Sequence, residues 1–431
     1  MISLPEKFIE NMKKQLPENE WKAFFAVYEN KPYKGVRLNP LKGGRYALNS
    51  ILCEQIPWEE NGFYTALEKT GASPFHFAGL FYSQEPSAMS AAPLLGVQPG
   101  ERVLDLCSAP GGKGTQLACA MDGKGLIVLN EPVSSRAKIL SGNVERMGVT
   151  NAIVTCESPE KLAQIFENYF DKILVDAPCS GEGMFRKNSE EALAEWSEEN
   201  VALCAARQKR ILTEAVKMLK AGGKLVYSTC TFAPQEDEEQ AAWLCEAFPQ
   251  MRLISKEKLY PHKIKGEGHF VALFEKSGEE TRACVKETKP FISKESERAF
   301  RVFEKECLQN LSFSNLHEVG GVIYSLPDHA FDFKGLFVLR AGLRLGEVKN
   351  GRFEPSHSLA LATKKDDWKI VVDLEENDPS LEKYLRGETI EAVETLKNGW
   401  CVVCVAGFPV GLGKAVNGII KNHIPKGLRK N

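Results

Sequence analysis

At 431 residues the chain has room for roughly two or three domains, and 55 Lys+Arg against 57 Asp+Glu leave a net charge of −2. That balance excludes a uniformly basic nucleic-acid coat, though not a local basic face. Twelve cysteines without repeated spacing, a start (Met1 to Glu10) with no apolar run, and no eighteen uninterrupted apolar residues argue against a disulfide scaffold and a membrane span. The expectation is a cytoplasmic protein with reduced thiols.

Residues 1–95 mix helical patterns with aromatic and basic residues. Trp21-Lys22-Ala23-Phe24-Phe25 reads as an amphipathic helix, and Arg37-Leu38-Asn39-Pro40-Leu41-Lys42 as a strand or turn with outward polar groups. Over residues 96–277 the pattern becomes regular. Strand-like runs at Val103–Leu106, Leu126–Leu129, Ala152–Thr155, Ile173–Val175 and Leu225–Tyr227 alternate with helical stretches at Thr115–Met121, Ser134–Met147, Pro159–Tyr169 and Ala202–Lys220. Such alternation predicts right-handed βαβ units in an α/β, doubly wound parallel sheet. After a helix near Gln235–Phe248 come Met251–Ile254 and His269–Phe274 with no long helix between them, which predicts an antiparallel end. Residues 278–294 are charged and read as a linker, so the preceding sheet is expected to fold without the C-terminal residues. Residues 295–370 and 371–431 carry short β-like runs with Gly turns, such as Gly321–Ser325, Gly335–Leu339 and Trp400–Phe408, and read as small β-rich modules.

Two of the buried runs end in cysteine motifs: Asp176-Ala177-Pro178-Cys179 and Ser228-Thr229-Cys230-Thr231. Ligands bind beyond the carboxyl ends of parallel strands, so two thiols emerging there suggest covalent chemistry. A lone cysteine would read as a small buried hydrophobe. The first strand leads into Cys107-Ser108-Ala109-Pro110-Gly111-Gly112-Lys113, whose small residues allow a close backbone approach before a helix N-terminus. Walker spacing fails, because Cys107 stands at the first Gly position and Gly114 follows Lys113. The dinucleotide Gly-x-Gly-x-x-Gly spacing is absent too. A glycine loop for a carboxylate-bearing ligand, with Glu131 at the second strand end to take a ribose, suits S-adenosylmethionine. Lys113 would counter a carboxylate or lower a thiol pKa, against a plain role as a helix-start surface lysine. Arg136 is a cofactor-side contact or a solvated helix residue.

Cys107–Lys113, Asp176–Gly183 and Tyr227–Thr231 resemble the motifs of the Sun/Fmu (Nop/Sun) RNA cytosine-C5 methyltransferases, and within them the RsmF type acting on small-subunit (16S) ribosomal RNA. The likeness spans essentially the whole chain, including Tyr82-Ser83-Gln84-Glu85-Pro86-Ser87, Gly266-Glu267-Gly268-His269-Phe270, Glu354–Ala360 and Lys421–Gly427. It implies a Rossmann-like, seven-stranded methyltransferase sheet, an α+β N-terminal RNA-binding extension, an RsmF-type β-rich domain and a PUA-like basic C-terminal RNA-binding domain. Cys230 would then be the nucleophile on cytosine carbon 6, Cys179 would assist adduct release, and Asp176 would bind the cytosine edge and also meet the cofactor. An acid at the third strand end would meet the adenine: Glu157, or Ser158 if the register shifts. A transfer-RNA substrate, or a non-catalytic ribosome assembly factor, are the competing readings.

After Glu394 no Asp or Glu occurs, while Lys414, Lys421, Lys426 and Arg429 remain, a basic end suited to phosphates. Arg186 and Lys187 after the Cys179 loop, and Arg37 with Asn39, are expected to hold the RNA strand. The target base must leave its stack to reach both thiols. Cys401-Val402-Val403-Cys404 lacks two further ligands for zinc and reads as core; no metal site is expected. The expected partner is small-subunit ribosomal RNA, bound by a monomer away from membranes.

Overall fold

The computed structural model describes residues 3–187, 189–279, 283–391 and 396–430. The N-terminal sheet contains β1 (Gly35–Leu38), β2 (Leu52–Gln55), β3 (Gly62–Thr65) and β4 (Phe81–Ser83), in the order β2-β3-β1-β4. Every residue of β1 is buried. Arg37 and Asn39 therefore do not point outward as their alternation with Val36 and Leu38 predicts. Both faces of β1 are covered, one by apolar packing and the other by the glycine loop of the next domain.

The large sheet is built from β5 (Arg102–Asp105), β6 (Leu126–Asn130), β7 (Ala152–Thr155), β8 (Phe170–Asp176), β9 (Leu219–Thr229), β10 (Met251–Leu259) and β11 (His269–Lys276). Pairings β7-β6-β5-β8-β9 are parallel, and β11 and β10 close the far side antiparallel, as the missing crossover helix predicts. The central strands are apolar on both faces because helices cover both: Ile173, Leu174 and Val175 are fully buried. In the β8–β9 register Val175 faces Tyr227 and Asp176 faces Ser228, so the two cysteine loops leave the sheet side by side. The helix expected over Pro159–Tyr169 stops at Ala163, and Phe166, Tyr169 and Phe170 continue as irregular backbone and strand in the main core.

The remaining strands are β12 (Leu316–Val319), β13 (Val322–Ser325), β14 (Val338–Ala341), β15 (Leu343–Lys349), β16 (Arg352–Pro355), β17 (Val371–Leu374), β18 (Ile390–Glu391), β19 (Gly399–Val405), β20 (Phe408–Val416) and β21 (Ile419–Asn422). Two C-terminal sheets run β12-β13-β15-β16 and β17-β19-β20-β21-β18. β14 joins neither. It pairs antiparallel with β7 and makes the large sheet eight-stranded rather than seven-stranded. Leu326, Ala330, Phe331 and Ala341 enter the main core, and buried Arg340 pairs with Glu145 at 3.4 Å. The expectation that the methyltransferase sheet is closed before the linker is thereby corrected: without β14 the β7 edge would lie unpaired.

β19 shows why the Cys401/Cys404 pair is core. With side chains alternating, Cys401, Val403 and Val405 pack toward the N-terminal sheet, while Val402 and Cys404 pack toward the helix Lys294–Cys307. The two sulfurs thus belong to opposite faces.

Candidate active site

The loop after β5 turns into the helix Gly112–Ala120 through Gly111, whose φ of +111° favours glycine. Ser108 is fixed from both sides: its N–H donates to Asn130 O at 2.8 Å and its hydroxyl to Asp105 Oδ2 at 2.7 Å. At Gly114 a Cβ would lie 2.5 Å from Ser108 Oγ and 2.8 Å from Asp105 Oδ2, so the missing side chain lets helix, loop and strand close together. Asp105 is fully buried, and burial raises its carboxyl to about 7. Its Oδ1 is buried without a hydrogen-bond partner, an unmatched acceptor under the loop.

Arg37 explains how the N-terminal domain serves this loop. Its guanidinium donates to Gln84 Oε1 at 2.6 Å, to Thr115 Oγ1 at 2.8 Å and to the Gly112 carbonyl, and it is 1 % exposed. The expected RNA contact is corrected on that ground: Arg37 is a brace behind the glycine loop. Asn39 is likewise internal, donating to the Gly79 and Met147 carbonyls.

A cavity of about 560 Å³ runs from this loop to the cysteines. Cys107, Ala109, Glu131 and Arg136 form one end; Asp176, Cys179 and Cys230 form the other. Glu131 is 2 % exposed and pairs with Arg136 at 3.4 Å, while Arg136 also donates to Ala109 O at 3.2 Å. Arg136 therefore belongs to the cavity. Glu157 does not: its Oε1 accepts from Lys161 Nζ at 2.8 Å and from the Phe337 N–H at 2.6 Å. Ser158 caps the helix Pro159–Ala163, and Pro159 and Glu160 take the place in the cavity wall expected for Glu157.

At the thiol end Cys179 Sγ and Cys230 Sγ are 3.3 Å apart, and the Cys230 N–H points at Cys179 Sγ at 3.4 Å. The hydrogen bond with Cys230, burial and the nearby Glu236 charge push the Cys179 thiol well above its ordinary value. Burial opposes the charge on Asp176, yet Lys113 at 2.9 Å and a 2.8 Å bond from Ser228 Oγ hold its carboxyl below the usual range. Burial opposes the Lys113 charge too, and Asp176 outweighs it, raising the ammonium. Lys113 is thus a buried partner of Asp176 and not a surface lysine. His269 sits behind the pair, 3.9 Å from Asp176 Oδ1, and burial, then Lys113, lowers it to about 3, which keeps the ring neutral.

Four residues escaped the sequence reading. Buried Glu236 accepts from the Ser180 N–H at 3.0 Å, from the Ser180 hydroxyl and from Gln208 Nε2 at 2.8 Å. Ser180 Oγ in turn meets Thr231 Oγ1 at 2.9 Å, and Gln208 also donates to Pro178 O at 3.1 Å. One carboxylate therefore ties the Cys179 loop to the Cys230 loop. Its only signal in the sequence was an acid six residues after Cys230. Arg207 and Arg210, on the exposed side of the helix Glu198–Met218, also line the cavity. Asp105 was visible as a strand-end acid beside the loop.

The other expected RNA contacts divide. Arg186 is corrected: it is buried and gripped by both Glu267 oxygens, at 2.7 and 2.8 Å, so it staples the Cys179 loop to Gly266–Glu267. Lys187, Lys414, Lys421 and Lys426 are exposed, and Arg429 is half-buried, donating to Ile424 O at 3.2 Å. No cluster of three metal-ligating side chains occurs among the described residues, and no helix among them is long and apolar enough to cross a membrane.

A parallel sheet with a glycine loop, a second-strand acid and a cavity reaching two strand-end thiols defines an S-adenosylmethionine-dependent methyltransferase. Comparison with known proteins specifies which. Residues 92–275 match the family model of 16S rRNA methyltransferase RsmB/F, 4–86 the N-terminal domain of RsmF, 302–363 its first C-terminal domain and 371–430 its PUA domain. Ribosomal RNA small subunit methyltransferase F of Vibrio vulnificus is 32 % identical over 99 % of this chain and 98 % of its own length. The Shewanella piezotolerans protein of the same name is 30 % identical over 100 % and 98 %. The crystal structure of a methyltransferase homolog from Pyrococcus horikoshii superposes with a TM-score of 0.55 at 28 % identity, covering 63 % of this chain and 95 % of that one. The chain belongs to the RsmB/F family of 16S rRNA methyltransferases.

Proposed function

We propose that the protein methylates carbon 5 of a cytosine in small-subunit ribosomal RNA, with Cys230 as covalent nucleophile and Cys179 as the group that releases the product. One observation carries the reading: two thiols 3.3 Å apart share a cavity with the Asp176–Lys113 ion pair, opposite the loop–Glu131 end. The residues at that end fit S-adenosylmethionine. The loop offers helix N–H groups to a carboxylate, Asp105 Oδ1 offers an unmatched acceptor to an amino group, and Glu131 offers oxygens to ribose hydroxyls. When bound, the cofactor supplies an electrophilic methyl group, whose bonding electrons stay with the sulfonium sulfur.

Carbon 5 of cytosine is a poor nucleophile. Addition of the Cys230 thiolate to carbon 6 forms an S–C6 bond and shifts electron density to carbon 5, which splits one hard step into easier ones. Asp176, held ionised by Lys113, accepts from the exocyclic amine, and the Lys113 ammonium faces the charge that develops on the ring. Once carbon 5 carries the methyl group, its proton must leave. The first cause of Cys179's raised pKa is its bond with Cys230, and alkylation of Cys230 removes that cause. Cys179 then ionises more readily, takes the carbon 5 proton, and the S–C6 electron pair returns to Cys230.

The test is a map of 5-methylcytosine in 16S rRNA incubated with the purified chain and S-adenosylmethionine. A wild-type product absent with Cys230→Ala, which still binds cofactor, is expected. Methylation on an exocyclic nitrogen, or full turnover of Cys230→Ala, would contradict the reading.

A further inference from the structure

The last sheet sets Trp400, Lys414 and Lys421 in one cross-strand row: Trp400 is opposite Lys414 on β20, and Lys414 is opposite Lys421 on β21. Residues directly opposed in a sheet share a face. This face also carries Val402, Cys404 and Leu412, which pack against the helix Lys294–Cys307. At the row that packing runs out. Trp400 is half-buried, while Lys414 and Lys421 are exposed. Lys414 Nζ stands 5.5 Å from the indole centre, and the His423 ring meets Trp400 edge-on at 4.5 Å between centroids.

Trp400 also walls a groove of about 510 Å³ between this sheet and the helix, with Arg298 on the helix and Arg352 on β16. Glu295 and Glu306 lie on the helix wall. Glu354 on β16 reaches His423 and adds a third acid near the ring. Like charges directly opposite on neighbouring strands destabilise a sheet, and neither lysine forms an ion pair among the described residues. A purely structural Trp400 would account for its contact with the core, but not for two lysines held side by side at its exposed edge. A polyanion relieves their repulsion, and an unpaired base offers the flat partner that the indole lacks.

We propose that this row is a single-strand RNA contact, in which Trp400 stacks on an unpaired base and Lys414 and Lys421 hold flanking phosphates. It rests on the reading that RNA is the substrate, and extends it to a site more specific than a basic tail. The test uses the full chain, a transcript of 16S rRNA, and a blunt RNA duplex as control. Trp400→Ala should weaken transcript binding by roughly 5- to 150-fold, the span expected for one lost base stack, and Trp400→Phe should restore most of it. Lys414→Ala/Lys421→Ala should lower the slope of log affinity against log salt by about 1.4, at about 0.7 per phosphate on single strands. Cofactor affinity should not move. Unchanged affinity and slope in variants with wild-type melting curves would overturn the proposal, as would equal losses on the duplex, where no base is free to stack. If Trp400→Ala does not fold, the slope of the exposed-lysine variant and the affinity of Trp400→Phe decide. Wild-type failure to bind the transcript would overturn the substrate reading and this contact with it; wild-type binding that the variants leave intact overturns the contact alone.

Discussion

Around Cys179, its hydrogen bond with Cys230, burial and the Glu236 charge disfavour ionisation, while the Lys113 ammonium is engaged with Asp176. In the proposed division of labour Cys230 attacks and Cys179 handles the carbon 5 proton. Glu131 lines the other end of the cavity, and Asp105 lies buried beneath its loop. Glu131→Ala should cost about 1.5–3 kcal/mol of cofactor binding per charge-assisted bond lost, with RNA affinity unchanged, as read by calorimetry. Asp105 gives a pH signature. Its carboxyl titrates at about 7 in the fold against 3.8 unfolded, so the folded state binds the extra proton and stability falls as pH rises between those values. Asp105→Asn removes that loss. Without cofactor, its stability gain over the wild type should be near zero at pH 4 and rise to about 4 kcal/mol by pH 8, read by urea unfolding.

At the scale of elements, the β8–β9 register brings the thiols together and Glu236 locks the loops that carry them. Glu236→Ala strands the Ser180 N–H, worth about 1–3 kcal/mol when orphaned, and takes one of the two acceptors of Gln208 Nε2. It should lower the melting temperature and slow methyl transfer while cofactor affinity holds, and Glu236→Gln should recover stability more fully than turnover. The strand ends were legible because buried parallel strands are short apolar runs, and ligands bind at the loops leaving their carboxyl ends. On that logic Glu131, Asp176 and the glycine loop were read as site residues, and Glu131, Asp176, Cys107 and Ala109 line one cavity. Arg37 and Arg186 were misread because a charged residue in sequence looks solvated until its partners are known. Those partners, Gln84 and Glu267, lie 47 and 81 residues away. Glu157 was misplaced for the same reason: Phe337, which takes its carboxylate, is 180 residues distant.

Across the whole molecule the domains share cores. β14 completes the large sheet, and the last sheet packs on the N-terminal one through Val403, Val405, Val36 and Phe81. The short edge strand β14 carried too little pattern to be assigned to a sheet formed some 180 residues earlier. A chain ending at residue 294 should therefore lose cooperative melting and become protease-sensitive, because it exposes the β7 edge and the apolar surface under Phe331. A sharp melt of that fragment, matching the full chain, would show the C-terminal modules to be dispensable for folding.

The central claim is that two thiols divide the labour of one covalent reaction, and a denaturing gel of Cys179→Ala mixed with 16S rRNA and S-adenosylmethionine tests it most directly. Without Cys179 the adduct forms and accepts its methyl group but cannot lose the carbon 5 proton. A slow-migrating protein–RNA band that survives denaturant and disappears in the Cys179→Ala/Cys230→Ala double variant is the expected result. A folded, cofactor-binding Cys179→Ala that gives no such band would contradict it.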